Sequence, residues 1–278
     1  MKTNFRIRQF LPRWHGPFIV LAGCALFMPC LNAVDLPQAQ PMPINSSQAS
    51  VAPAPSFAPV SLEMRGDIYM ARKSYEDAVD YYSRALRQTG FSNAAIWNKM
   101  GIAFQQEANL RLARKAYQRA IHYQRNFAAA WNNVGTTFYL AHKDKKSIKF
   151  YRHAITLEPS NPSFHLNLGT AFYRRRKYKE TVEQYRQALT LDPDILIQNS
   201  KTGTIVQARG SSVEYYFYMA KVFASLGRNK EAIRYLRHAL EDGFHNYRRL
   251  VSDPDFMKLK SDPAYVSLLK NPPMAIKD

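Results

Sequence analysis

Cysteine is almost missing from this chain: its 278 residues hold two, Cys24 and Cys30, both in or beside an N-terminal apolar run. A folded part that starts beyond them has no thiol, which excludes a disulfide scaffold, a cysteine-held metal and a cysteine nucleophile there. Acidic residues are scarce too, 21 against 39 lysines and arginines, for a net charge of +18. Such a surface favours anionic partners, whether acidic protein patches, nucleic acid or lipid headgroups, without choosing among them. The apolar run FIVLAGCALFM, Phe18 to Met28, is too short to span a bilayer comfortably. Chemistry-bearing motifs are also lacking. No HExxH, GxSxG, Walker loop or GxGxxG occurs, and the seven histidines show no ligand spacing. The expectation is therefore a chain without catalytic, metal or cofactor sites.

What is present begins with an address. Lys2, Arg6, Arg8 and Arg13 precede the apolar run, and Pro29 and the small-residue end LNA, closing at Ala33, follow it. That layout is a secretory signal over residues 1–33, cleaved after Ala33. A rival reading lies inside it: LAGC, Leu21 to Cys24, resembles the lipobox of bacterial lipoproteins, which would lipidate Cys24 and anchor the chain to a membrane. That cut leaves about four apolar residues of signal core where roughly 7 to 15 are usual. Export, to the periplasm or beyond, is the expectation either way, and it removes the chain from nucleic acid. Residues 34–59 follow, with six prolines and Asp35 as the only charge. Such a composition buries no core and reads as a tether.

Beyond it the chain repeats itself. Small residues recur at Gly66, Gly101, Gly135, Gly169 and Ala220, with aromatics three residues on at Tyr69, Phe104, Phe138, Phe172 and Phe223. Twelve residues after each small residue comes Ala78, Ala113, Ser147, Thr181 or Ala232; four further on sit Tyr82, Tyr117, Tyr151, Tyr185 and Leu236, and three further again an alanine. Spacings of three and four place these side chains on single helical faces, with a polar turn between. A small residue opposite a large one lets two antiparallel helices approach closely. Neither helix buries its stripe alone, so the units must stack.

The copies WNNVGTTFY, Trp131 to Tyr139, with Ala154 and Pro159, and WNKMGIAFQ from Trp97, resemble the tetratricopeptide repeat family at nearly every marked position. Repeats one, four and five depart from it at the tryptophan, with Leu62, His165 and Tyr216. The resemblance covers residues 60–243 and implies an all-α, right-handed superhelical solenoid of about five helix pairs. The repeats fall near 60–92, 94–127, 128–161, 162–195 and 213–243, with an insertion over 196–212. Residues 244–278 carry two Asp-Pro pairs, at Asp253 and Asp262, each suited to cap a short helix. Phe256, Leu259, Tyr265, Leu268 and Leu269 would cover the end of the array.

In this family the first helix of each repeat lines a concave groove, so the resemblance implies a partner-binding set. It comprises Glu63 and Asp67, then Asn98, Lys99, Gln105 and Gln106, then Asn132, Asn133, Thr136 and Tyr139, then Asn167, Thr170, Tyr173 and Arg174, and finally Tyr218 and Lys221. Asn133 and Asn167 share one repeat position, and an amide, both donor and acceptor, suits the backbone of an extended peptide. Lys99 at that position would meet a carboxylate. The alternative is an asparagine that only solvates its helix. RRRKYK, Arg174 to Lys179, and KDKK, Lys143 to Lys146, fall in matching turns and could form a positive rim or simply solvate it.

These readings converge on a non-catalytic scaffold or adaptor of the cell envelope that grips a protein or peptide, an acidic one by the charge. An accessory lipoprotein of the outer membrane or of secretion or pilus assembly is the neighbouring alternative. An enzyme using the insertion, ILIQNSKTGTIVQARGSS over residues 195–212, or a partner chain is the alternative of another class. Two glycines and the Thr204-Ile205-Val206 triplet make that stretch poor helix material, so an irregular loop is expected there.

Overall fold

The computed structural model describes residues 60–196 and 213–274, and these are entirely helical. The expected signal and tether over 1–59, with Cys24, and the insertion over 197–212 lie outside the described residues. Five helix pairs follow one another: α1 (Leu62–Ala71) with α2 (Tyr75–Gln88), α3 (Ala94–Gln106) with α4 (Leu110–Tyr123), α5 (Ala128–Leu140) with α6 (Asp144–Leu157), α7 (Pro162–Arg174) with α8 (Tyr178–Leu191), and α9 (Val213–Ser225) with α10 (Asn229–Glu241). Each first helix packs on its own partner and on the second helix of the preceding pair, which is the stacking the periodicity requires.

The close approach within each pair comes from the small-against-large pattern. A Cβ on Gly101, Gly135 or Gly169 would lie 2.5, 2.8 and 2.5 Å from the rings of Tyr117, Tyr151 and Tyr185, so only glycine fits beneath them. Those rings are buried, as is Tyr82 against Gly66. Repeat five makes the same approach with Ala220 and Leu236, both fully buried.

The turns inside the pairs are one motif used five times. The backbone N–H groups of Ser74, Asn109, Lys143, Lys177 and Arg228 donate to the carbonyls of Tyr69, Phe104, Phe138, Phe172 and Phe223, at 2.8–3.0 Å. This six-residue closure is the Schellman end of a helix, which needs a left-handed residue just inside it. That residue is Lys73, Ala108, His142, Arg176 and Gly227 in turn, with φ between 55° and 72°. Only the fifth turn gives the position to glycine, the residue that adopts it without steric cost.

At the tryptophan position the departure in repeat four is chemically conservative. Trp97 and Trp131 donate their indole N–H to the carbonyls of Phe91 and Arg125 (2.7 and 2.8 Å), and His165 Nε2 hydrogen-bonds the Pro159 carbonyl at 2.9 Å. Each acceptor lies six residues upstream, so the imidazole takes over the indole's bond with less apolar surface.

The end of the array is closed by α11 (Tyr247–Ser252), a 3-10 helix (Pro254–Leu259) and α12 (Pro263–Lys270). Asp253 and Asp262 cap the last two, accepting from the N–H groups of Asp255 and Ala264. The first of them is 3-10 rather than α. Phe256, Leu259, Tyr265 and Leu268 are buried, and with Phe217 and Leu250 they join the core of repeat five.

Candidate functional site

The residues expected to face a partner along the first helices are instead tied to one another. Asn133 Nδ2 donates to Asn98 Oδ1 (3.0 Å), Asn167 Nδ2 donates to Asn132 Oδ1 (2.9 Å), and Asn132 Nδ2 donates to Asn133 Oδ1 (3.3 Å). All four amides are buried. Each rung reaches from one repeat position to the residue one place earlier in the preceding repeat. Lys99 makes the same rung as an ion pair, its Nζ donating to Glu63 (2.8 Å) and to Asp67 (2.7 Å). Partial burial works against the ammonium, but the hydrogen bonds to Asp67 and Glu63 outweigh it and hold the Lys99 pKa above its usual value.

A second set of expected groove residues satisfies the tyrosine hydroxyls. Tyr82 donates to Asp67 (2.8 Å) and Tyr117 to Gln105 (3.2 Å), while Tyr151 pairs with Thr136 (3.2 Å) and Tyr185 with Thr170 (3.0 Å). The physical reason is burial: a phenol pushed under a neighbouring glycine must find a polar partner on the helix it underlies. Among the described residues no buried side-chain nitrogen or oxygen lacks one.

The cations are committed as well. Arg174 pairs with Asp144, donates to the Tyr139 carbonyl (2.5 Å) and lies 3.5 Å over the centre of the Tyr139 ring. Burial raises the Tyr139 pKa, and the guanidinium partly opposes the rise. The Arg174–Asp144 pair also joins the two turns expected to form a positive rim. Lys221 donates to both oxygens of Asp253 (2.8 and 2.6 Å) and meets Asp255 at 3.0 Å, so it bolts the cap to α9. The free cation expected at Lys99, Arg174 and Lys221 is therefore replaced by internal ion pairs, whose acids lie 30 to 36 residues away in sequence. Gln106 alone of the set in repeat two is exposed.

The rung stops between repeats four and five, where Tyr218 stands at the ladder position and the preceding residue, Leu166, has no polar end. There a cavity of about 680 Å³ opens, lined by Tyr178, Val182 and Tyr218 and edged by Lys179, Glu183, Arg186, Lys221, Ser225, Arg249 and Asp255. Tyr178 stacks on Tyr218 with ring centres 4.3 Å apart and planes 14° apart. Arg249, from the cap, donates to the Tyr218 hydroxyl (2.7 Å) and lies 4.3 Å over Phe217. Tyr173 and Tyr215 extend the aromatic wall, touching at 5.9 Å. Burial drives the Tyr215 pKa upward. The hydrogen bond from Gln187, then that from Arg186, holds the Glu183 carboxyl below its usual value. Lys179 is exposed and has no hydrogen-bond or ion-pair partner among the described residues.

Of the groove set, Lys221 and Tyr218 line this cavity and Tyr173 adjoins it. Sequence reasoning missed Tyr178, Val182, Arg186, Arg249 and Asp255. One signal pointed to the place: the fourth repeat offset is 51 residues against 34 or 35 elsewhere, so the regular contact between successive pairs is interrupted there.

Solved structures of similar fold include pilF of Pseudomonas aeruginosa (TM-score 0.48, 20% identity, covering 74% of this chain and 86% of that one). MamA from Desulfovibrio magneticus RS-1 is another (0.45, 16%, 63% and 89%), as is YrrB, described as a TPR protein with an unusual peptide-binding site (0.43, 14%, 63% and 81%). No curated protein matches the sequence. Models of the tetratricopeptide repeat match residues 57–93, 98–162, 146–194 and 213–241. With five registered helix pairs beneath those matches, the chain belongs to the tetratricopeptide repeat family.

Proposed function

We propose that this protein is an exported scaffold of the cell envelope that holds a segment of a partner protein in the cavity between repeats four and five. One observation carries the reading: at the single break in the ladder among the described residues, stacked tyrosines and cations line a space of about 680 Å³. That volume suits a few side chains of a bound segment. With Lys221 held by Asp253 and Asp255 and Arg186 by Glu183, Lys179 and Arg249 are the lining cations left to favour an acidic segment. Tyrosine faces add contact area at low entropic cost. The arrangement offers stacking and charge, and it places no acid and base at a common reacting point, which supports binding rather than turnover.

A photo-crosslinker at Val182 in the full chain, expressed in its own envelope, should capture a partner, and Tyr178→Ala should abolish that capture. Equal capture by the Tyr178→Ala protein would sink the assignment to this cavity. Export rests on the N-terminal sequence, and intact mass of the mature protein decides its form. A chain beginning at Val34 supports cleavage after Ala33, a lipid on Cys24 supports the anchored alternative, and an uncut N-terminus refutes both.

A further inference from the structure

A second surface stands apart from that cavity. The outer helix α4 carries Arg111, Arg114, Lys115 and Arg119 and no acid. Arg114 turns inward, donating to Thr137 Oγ1 (3.1 Å) and lying over the Phe138 ring. Arg111, Lys115 and Arg119 are exposed, and among the described residues none has a hydrogen-bond or ion-pair partner. They recur every four residues, about 6 Å apart along the axis, and the stripe ends on exposed Tyr123.

One repeat later α6 presents Lys145, Lys149 and Arg152, also exposed, and its one acid, Asp144, is taken by Arg174. The 34-residue offset sets Arg111 in register with Lys145 and Lys115 with Lys149. The patch is bounded. The same positions are Glu76 and Asp80 on α2, and on α8 Lys179 is followed by Glu183, which Arg186 holds. Six cations without an ion-pair partner among the described residues thus fill the second helices of two successive repeats, while those of the flanking repeats are acidic or balanced.

We propose that the outer face of α4 and α6 docks on an anionic lipid surface. The chemistry of the patch selects this occupant. Of the cavities of about 680, 410 and 260 Å³ only the second reaches the patch, at Arg152 on its edge, and none of the three takes a residue from α4 to receive an anchoring side chain. Tyr117, the aromatic between Arg111 and Arg119, is fully buried and offers no face for stacked bases, as single-stranded nucleic acid would need. A flat array of cations suits mobile headgroups that rearrange beneath it, and a tyrosine at the end of the stripe is the ring type that settles at headgroup level. Each such cation strengthens partitioning about fivefold near an anionic leaflet.

The test is cosedimentation of the full chain with phosphatidylcholine vesicles, with and without phosphatidylglycerol. The proposal expects binding only with the anionic lipid, weakening as salt rises. Arg111→Gln/Lys115→Gln/Arg119→Gln should lower the partition coefficient about a hundredfold, and Lys145→Gln/Lys149→Gln/Arg152→Gln should do the same. Lys230→Gln/Arg234→Gln/Arg237→Gln, which removes equal charge from α10, should change it little. Helical content and thermal unfolding of each protein establish that it is folded, and the two independent patch variants guard against a folding failure in one. Wild-type binding by both patch variants overturns the proposal, and so does an equal loss in the α10 variant, which would make net charge the cause. Tighter binding to duplex DNA or polyglutamate than to acidic vesicles at the same salt overturns it too, in favour of those partners.

Discussion

Repeats one to four bring their helices together with glycine under tyrosine, and repeat five does so with alanine beside leucine. The difference spreads outward from that contact. A buried phenol needs a polar partner on the facing helix, so Asp67, Gln105, Thr136 and Thr170 are drawn into the fold. With no phenol in repeat five, Lys221 is released from that duty and reaches the cap instead. The ladder between first helices follows the same division, running from Glu63 to Asn167 and ending at Leu166 and Tyr218. Four repeats thus spend their inner polar groups on holding the array, and the fifth joins the cap and borders the cavity.

The comparison is broken most severely by alkali. Burial raises the pKa values of Tyr82, Tyr117, Tyr151 and Tyr185, and the hydrogen bond and charge of Asp67 add to the rise at Tyr82. An unfolded tyrosine ionises near pH 10. Below that value the stabilisation is complete. As pH climbs from there toward the raised native values, the unfolded chain releases protons that the folded chain retains, and stability falls. Circular dichroism against pH should show cooperative unfolding above about pH 10, with a midpoint that moves upward when Tyr151 and Tyr185 are replaced by leucine in proteins that also carry alanine at Gly135 and Gly169.

Next in size is overpacking. Gly169→Ala should cost about 3 kcal/mol in urea unfolding, since the added methyl meets the Tyr185 ring. Gly169→Ala/Tyr185→Leu imports the pair used by repeat five and should lose much less than the two single losses combined, a coupling that a double-mutant cycle measures. Simple additivity would mean that the two positions do not act as one contact.

Asp253→Ala tests the other side of the comparison. It removes an N-cap and one of the two acids on half-buried Lys221, at about 2 kcal/mol. Hydrogen exchange should accelerate in α11 and α12 while α3 to α6 stay protected; uniform acceleration would show that the cap is not a separable unit.

The smallest effect runs the opposite way. Ala108 holds a left-handed turn that repeat five gives to Gly227, so Ala108→Gly should stabilise by about 1 kcal/mol. A loss in thermal unfolding would mean that the turn is not strained.

Much of this architecture was legible in the residues. The three- and four-residue spacings marked both helices of every repeat, and Asp253-Pro254 and Asp262-Pro263 marked the cap helices. Helix phase and capping depend on neighbours a few residues away, so local order along the chain is enough to set them. The candidate site was legible as an irregularity, the long fourth offset, and of its lining residues the groove set held only Tyr218 and Lys221. Asn133, Asn167 and Lys99 were expected to face a partner, yet they meet partners about one repeat upstream, and those of Lys221 lie 32 residues or more downstream in the cap. Which of two polar groups across such a gap meets the other depends on how far each helix pair rotates against the last. The sequence by itself determined the helix pairs, their glycine–tyrosine contacts and their excess of cations. Only the stacking decided that Lys99, Arg174 and Lys221 are neutralised internally while Arg111, Lys115 and Lys149 are not, because an acid 30 to 36 residues away comes within reach on the inner face and, among the described residues, none does on the outer one.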